Sequence, residues 1–438
     1  MNEPVKLSDF VIIEYGDQCA WIINTLTRGV ITCSPEIASK LESISSITCT
    51  DELNKNFDDN LLKGLFSLGV FVDITIDELT LVKQLVNEAV NDQSTVGFVI
   101  SPTLSCNCDC HYCFEKNVRD SSEEIDAVEI LKFIKEKSIG KKSMTIQWFG
   151  GEPLQRLNFL EKVSLDVIKH CAIFDIDLSF SLVTNGVLLT RDVAERLVSF
   201  RIFDVQVTLE GGQNFHDKIR FTDNGTGTFH RIINSIMENG DLLNFSLRVH
   251  VAPYNLDSVL ELISHLGDLK VGKKLQEIYF APLFDYKTSE DRVFFVHGNQ
   301  KFLKIEDFSK IEPTLYSGAK AQGLPLPKIF DEGYGICTAV RNNTYVIDPA
   351  GRVHRCYFFL GDAAESYGNI GNDLIKEQNL TKWLDIDVPR DDECGSCKLL
   401  PVCLGGCSVK WMSGAPKSVI CDSLRYNLKE MLPVFYPL

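Results

Sequence analysis

Residues Ser101–Glu115 read SPTLSCNCDCHYCFE and follow directly on the β-branched and aromatic run TVGFVI at 95–100. Cys106, Cys110 and Cys113 stand in C-x3-C-x2-C spacing, with aromatic Tyr112 just before the last of them. Three thiolates on one loop suit three irons of a cubane cluster, whose usual complement is four cysteines. One iron is then left open, as a metal centre requires if it is to bind a substrate directly. Cys108 interrupts the spacing and has the wrong register for this ligand set. A zinc site made from the same thiols is the plain structural alternative.

Outward from this loop, TVGFVIS, SMTIQWF, DLSFSLV, DVQVTL, SLRVHV and EIYFAP recur between about 95 and 285. The gaps between them are wide enough for crossover helices. Such an alternation predicts an α/β fold, a parallel and partly closed (β/α)6 barrel over 93–285, with functional residues after the carboxyl ends of its strands. In the first crossover, SSEEIDAVEILKFIKEK, Ser121 and Glu124 predict a capping box. Ile125, Val128, Leu131 and Ile134 predict its apolar face.

Residues 1–92 read as a smaller, winged-helix-like α+β domain. DFVIIEY, AWIINTL and GVIT predict a short antiparallel sheet, and SPEIASKLESI a helix with an N-cap serine. NLLKGLFSL predicts a second helix closed by Gly69, and IDELTLVKQLVNEAVND a linking helix. Residues 286–336 read as a bridging region. From 337 to 438 the chain is cysteine-rich, with hairpin-like pieces and short helices.

The 438 residues carry 44 Lys and Arg against 60 Asp and Glu, a formal charge of −16. That balance argues against a nucleic-acid or anionic-membrane binder, since both need a basic face. Hydrophobic content of 45 % with 24 % charged residues is that of an ordinary folded protein. No apolar run reaches membrane-spanning length and MNEPVKLSD is no signal peptide, so a cytoplasmic location is expected. Fifteen clustered cysteines in such a chain point to metal rather than disulfides. Cys19, Cys33, Cys49 and Cys171 lie scattered among apolar residues and read as inert core thiols.

The cysteine loop and the strands after it resemble the radical S-adenosylmethionine (SAM) enzymes. The resemblance implies a [4Fe–4S] cluster on Cys106, Cys110 and Cys113, with SAM chelating the open iron through its amino and carboxylate groups. The reduced cluster then cleaves SAM, and the 5′-deoxyadenosyl radical abstracts a hydrogen atom from the substrate. WFGGEP, at the end of the second strand, matches the motif that holds the methionyl amino group. Gly150 and Gly151 are expected to let the backbone approach the ligand, and Glu152 to accept from its ammonium. The third strand runs into TNG at Thr184–Gly186 and the fourth into TLEGG. Thr208 stands where relatives place a hydroxyl on the SAM ribose. Glu210 stands where they have Asp and is given no role. FHDKIRF, with His216, Asp217 and Arg220, matches another common segment. Arg220 is a candidate grip for the SAM carboxylate, with a structural salt bridge as the alternative. Arg248, on the fifth strand, is a second such candidate. Tyr112 completes the implied SAM contacts.

The C-terminal cysteines resemble the SPASM extension of this family. Cys337, thirteen residues, Gly351, four residues and Cys356 are followed by Cys394-x2-Cys397-x5-Cys403-x3-Cys407 and then Cys421. The resemblance implies two auxiliary [4Fe–4S] clusters, making three in all. Cys337, Cys356 and Cys407 would serve the first, with its fourth ligand unassigned. Cys394, Cys397, Cys403 and Cys421 would serve the second.

Two branches of the family compete for the substrate. Sulfatase maturases oxidise a protein Cys or Ser, and the resemblance implies as their base an Asp directly after the cysteine equivalent to Cys356. Here Tyr357 fills that place, and tyrosine is a poor base at neutral pH. Peptide-modifying members instead install thioether or carbon–carbon cross-links. Their leader-recognition element resembles residues 1–92, which would capture an extended segment by strand addition. The expectation is a maturase of a ribosomally made precursor peptide, served by an external electron donor. A non-catalytic metal-cluster scaffold that binds peptides is the reading from a different class.

Overall fold

The computed structural model describes residues 4–437 except 45–46, 111, 116–117, 119–123, 284–302, 331–335, 373–374 and 385–386. Six parallel strands form its centre: Thr95–Ile100, Ser143–Trp148, Asp177–Val183, Asp204–Leu209, Asn244–Val251 and Leu275–Pro282. They lie side by side in chain order, as right-handed βα repeats require. Among the crossovers are helices Ala127–Lys137, Leu157–Phe174, Arg191–Ser199, Phe229–Asn239 and Leu256–Asp268.

The barrel does not close. A seventh strand, Thr344–Ile347, runs parallel to the first and takes its free edge, pairing Thr344 with Gly97 and Ile347 with Ile100. Arg352–His354 folds back antiparallel onto it, and Gly368–Asn369 ends the sheet. The C-terminal region thus continues the barrel sheet, a contact that local pattern gave no hint of.

The first crossover helix departs from its expected start. Ser121 lies outside the described residues. The cap is Asp126, whose side chain accepts from Val128 N and Glu129 N. With the cap five residues later than expected, Ala127, Ile130, Leu131 and Ile134 form the buried face, while Val128 is 66 % exposed. Residues taken as a bridge supply one more barrel helix, Ile305–Ala321, which packs on Leu256–Asp268 and on the C-terminal helix Leu424–Phe435.

The N-terminal residues form two small antiparallel sheets with helices Pro35–Ser43, Thr50–Asn56 and Asp59–Ser67. Val11–Tyr15, Ala20–Asn24 and Gly29–Cys33 make one sheet, as expected. Thr48–Cys49, Pro4–Leu7 and Phe71–Asp73 make the other. Ser34 caps the first helix through Ile37 N. Strand Ala20–Asn24 is buried on both faces, and its alternation splits two cores. Ile22 packs within the N-terminal core, whereas Trp21 and Ile23 join the barrel core. Cys19 and Cys171 are buried, while Cys33 and Cys49 are only partly so. No helix among the described residues is long and apolar enough to cross a membrane.

Asn427 interrupts the C-terminal helix with φ −139° and uses its amide to hold the neighbouring one, donating to Ser309 O and Glu312 Oε2, each at 2.9 Å. Burial pushes the Glu312 carboxyl up to about 7, against the pull of bonds from Ser423 and Asn427. Folded protein therefore holds this proton where the unfolded chain releases it, and stability falls as pH rises from about 4.5 to about 7. Relative to Glu312→Gln, denaturant titrations should show wild type losing on the order of 3 kcal/mol across that window.

Candidate active site

The cysteine loop leaves the first strand and is clamped on both sides by backbone. Gly151 N donates to Thr103 O at 3.1 Å and Glu152 N to Ser105 O at 2.9 Å. Opposite, Asp109 N donates to Phe221 O at 2.8 Å, and Asp223 N to Asn107 O at 3.3 Å. The two glycines are needed here for a reason other than ligand approach. A Cβ on Gly151 would lie 2.2 Å from Ser105 O, and one on Gly150 2.0 Å from Ser101 Oγ, with Gly150 at φ +110°. It is the cysteine loop that comes so close, although both glycines also face the cavity.

Glu152 is likewise committed to the protein. Its fully buried carboxylate accepts from Leu154 N at 3.0 Å, Thr184 Oγ1 at 2.8 Å and Asn185 N at 2.8 Å. Burial still pushes its carboxyl up to about 7 against these donors. The side chain ties the second strand's loop to the TNG turn and is not among the residues that line the cavity. Asn185 extends the tie, donating through Nδ2 to Asn107 Oδ1 at 2.8 Å and toward Cys106 Sγ at 3.6 Å.

Glu210, given no role from sequence, is a hub. Its carboxylate accepts from Tyr112 Oη and from Arg220 Nη1 at 3.4 Å, and meets His250 Nδ1 at 3.1 Å. Arg220 Nη1 also donates to Tyr112 Oη at 2.6 Å. Burial opposes the Glu210 charge, but His250, Arg220 and Tyr112 outweigh it and hold the carboxyl down at about 2. Arg220 is thus a buried salt bridge in this structure, and one that orients the aromatic ring of the cysteine loop. An acid at the carboxyl end of a barrel strand was the available signal. His216 is structural: its Nδ1 accepts from Glu210 N at 3.2 Å and its Nε2 meets Thr228 Oγ1 at 2.9 Å. Asp217 accepts from Phe229 N at 2.9 Å.

The seven C-terminal cysteines separate into two places. Cys394, Cys397, Cys403 and Cys421 line one small cavity with Trp411. Lys417 Nζ donates to Cys394 Sγ at 3.1 Å and Arg425 Nη1 toward Cys421 Sγ at 3.7 Å, donors suited to thiolate charge. Cys337, Cys356 and Cys407 meet elsewhere. Arg355 gathers the first two, donating to Ala339 O at 2.9 Å, to Thr344 O at 3.1 Å and to Arg341 O. Asp348 fixes the hairpin between them, accepting from Ala350 N, Arg352 N and Arg352 Nε.

Cys106, Cys110 and Cys113 share a single cavity of ≈ 460 Å³ with Cys337, Cys356 and Cys407. Thr208, Arg220 and Arg248 line it too, as do Cys108 and Tyr112. Phe114, next to Cys113, stacks on Phe358 at 5.2 Å and joins the two cysteine sets. Three thiols in one chamber, an amide aimed at one sulfur and glycines keeping the wall thin make a donor set that fits a cluster with an open iron. Among the described residues no three His, Cys, Asp or Glu side chains converge tightly enough for a single metal ion. A cubane does not ask for that, because each thiolate binds its own iron.

A family model described as the Radical SAM superfamily matches residues 100–266. The chain is similar to the radical SAM cyclopropyl synthase TigE of Paramaledivibacter caminithermalis, 25 % identical over 351 residues, or 74 % of this chain and 70 % of that one. It is 24 % identical over 376 residues to a cysteine-type anaerobic sulfatase-maturating enzyme of Clostridium novyi, covering 76 % and 94 %. Its fold is similar to that of Streptococcus suis SuiB bound to SAM, with TM-score 0.55, 16 % identity, and 96 % and 99 % of the two chains covered. Residues 100–266 are thus a radical SAM domain, and the chain is an enzyme with the α/β fold of that superfamily. Its relatives are maturases of the SPASM type, and its cysteine-rich C-terminus supports a domain of that kind. A [4Fe–4S] cluster and SAM follow as its cofactors.

Removing Glu210 leaves the Arg220 guanidinium buried without its carboxylate, which typically costs 3–5 kcal/mol. We expect Glu210→Ala to lose about that much in urea unfolding. The double variant Glu210→Ala/Arg220→Met should regain part of it, since the stranded charge is gone.

Proposed function

We propose that the enzyme is a maturase of a ribosomally made precursor peptide. It abstracts a hydrogen atom from a peptide side chain or α-carbon on the way to a thioether or carbon–carbon cross-link. The observation that carries this is the shared cavity, in which the Cys106–Cys113 loop and the Cys337, Cys356 and Cys407 thiols face one space. In this reading those three thiols hold a first auxiliary cluster, and Cys394, Cys397, Cys403 and Cys421 a second. Residues 1–92 capture the peptide's leader, an external donor supplies electrons, and the protein works in the cytoplasm. Support for the leader unit comes from SuiB, whose likeness spans nearly the whole chain and which is also known bound to its precursor peptide SuiA.

When bound, the first cluster and SAM supply the one-electron chemistry that removes the hydrogen atom. The chain supplies the rest. Its Glu152 and Asn185 hold the cysteine loop to the TNG turn, so the three thiols keep their spacing. The Phe114–Phe358 stack joins the two cysteine sets. Tyr357 lines the cavity beside Cys356, and a tyrosine hydroxyl serves poorly as a base at neutral pH. That disfavours the sulfatase-type reaction.

The test is the mass of a precursor peptide encoded beside the gene, after anaerobic incubation with reconstituted enzyme, SAM and reductant. Loss of two hydrogens per site is expected, with SAM cleavage abolished in Cys110→Ala. An unchanged peptide mass alongside modification of a sulfatase-derived Cys or Ser peptide would overturn the reading.

A further inference from the structure

Of the two arginines facing the cavity, Arg220 is occupied by Glu210 and Tyr112. Arg248 is not. It sits on the fifth barrel strand, paired across the sheet with Thr208 on one side and Tyr279 on the other. Its Nε is buried without a hydrogen-bond partner, and none of the ion pairs among the described residues involves it. Thr208, His250 and Tyr357 line the same cavity as Arg248.

In a chain with 60 acidic and 44 basic residues, a cavity-lining guanidinium with no ion pair among the described residues is conspicuous. A partly desolvated cation costs free energy that only a counter-charge offsets. The position narrows what that counter-charge is. Arg248 pairs across the sheet with Thr208, and both line the one cavity that also holds Tyr357 and the two cysteine sets. A substrate that fills this cavity meets the guanidinium. The guanidinium fork matches a carboxylate with two parallel donors, a geometry that also fixes orientation.

We propose that Arg248 is the substrate anchor: it receives a carboxylate of the bound peptide, from an acidic side chain or from the C-terminus, and so fixes which carbon faces the Cys106–Cys113 loop. This rests on the peptide reading given above. It makes Arg248 a specificity-determining residue with no part in holding SAM.

Three labelled pools of synthetic octapeptides test it on the reconstituted enzyme under anaerobic conditions, by fluorescence anisotropy. One pool carries a single Glu and an amidated C-terminus, one has no acid but a free C-terminal carboxylate, and one has neither. Wild type should bind one of the first two roughly tenfold or more tighter than the third, and which of them identifies the source of the carboxylate. Arg248→Gln should abolish that preference and Arg248→Lys keep part of it. SAM affinity, measured by titration calorimetry on the same samples, should stay within about twofold of wild type, since the anchor contacts only the peptide. Equal binding of all three pools by wild type would overturn the anchor and leave the peptide reading standing. A loss of SAM affinity in Arg248→Gln with the preference intact would also overturn it, by giving the side chain to the cofactor. No binding by any pool would overturn the peptide reading and the anchor together.

Discussion

The parallel pairing of Thr344–Ile347 with Thr95–Ile100 is the contact on which the arrangement of cysteines depends. Parallel strands of this kind close into a barrel when nothing else satisfies the edge, because an open edge leaves a row of unpaired backbone groups. Here the C-terminal hairpin takes that row, so the sheet stays open and gains a second wall. The hairpin lies between Cys337 and Cys356 in sequence, and the strand it joins leads straight into the Cys106 loop. One set of backbone hydrogen bonds therefore brings together thiols more than 200 residues apart. The shared cavity is the result.

Loops built around cysteines and glycines bury little apolar area, and buried acids do the ordering instead. Glu152 joins two strand ends, Glu210 joins a third to the aromatic ring of the cysteine loop, and Asp348 shapes the C-terminal turn. Each accepts from at least three donors, and this satisfaction makes a buried carboxylate tolerable. Such networks also specify position sharply, since a shifted loop would leave a desolvated charge unpaired. Part of the acidic excess of the chain is thus spent inside it, on holding the site.

The N-terminal unit is attached to both the barrel and the second cysteine group. Strand Ala20–Asn24 places Trp21 and Ile23 in the barrel core, and Trp21 Nε1 donates to Tyr436 O at 3.1 Å, so the two ends of the chain meet. Lys398 Nζ donates to Val11 O at 2.8 Å and Arg28 Nη2 to Pro401 O at 3.3 Å, while Phe10 and Val82 pack against Cys394 and Leu400. The loop carrying Cys394, Cys397 and Cys403 is therefore also the seat of the unit proposed to hold a leader.

The sequence by itself determined whatever is written within a few neighbouring residues. The spacing of Cys106, Cys110 and Cys113, the six strands and the Ser34 cap are of this kind, since short-range sterics and ligand geometry set them; the division of the C-terminal cysteines followed from the family resemblance alone. Only the tertiary structure decided which side chains remain free to act. Whether Arg220 grips a ligand or a carboxylate, whether Glu210 matters, why Gly151 must be glycine and why Arg248 has no ion pair among the described residues depend on strands far apart in the chain. Burial and pairing energies are set by those distant partners, and the local pattern at each residue carries no record of them.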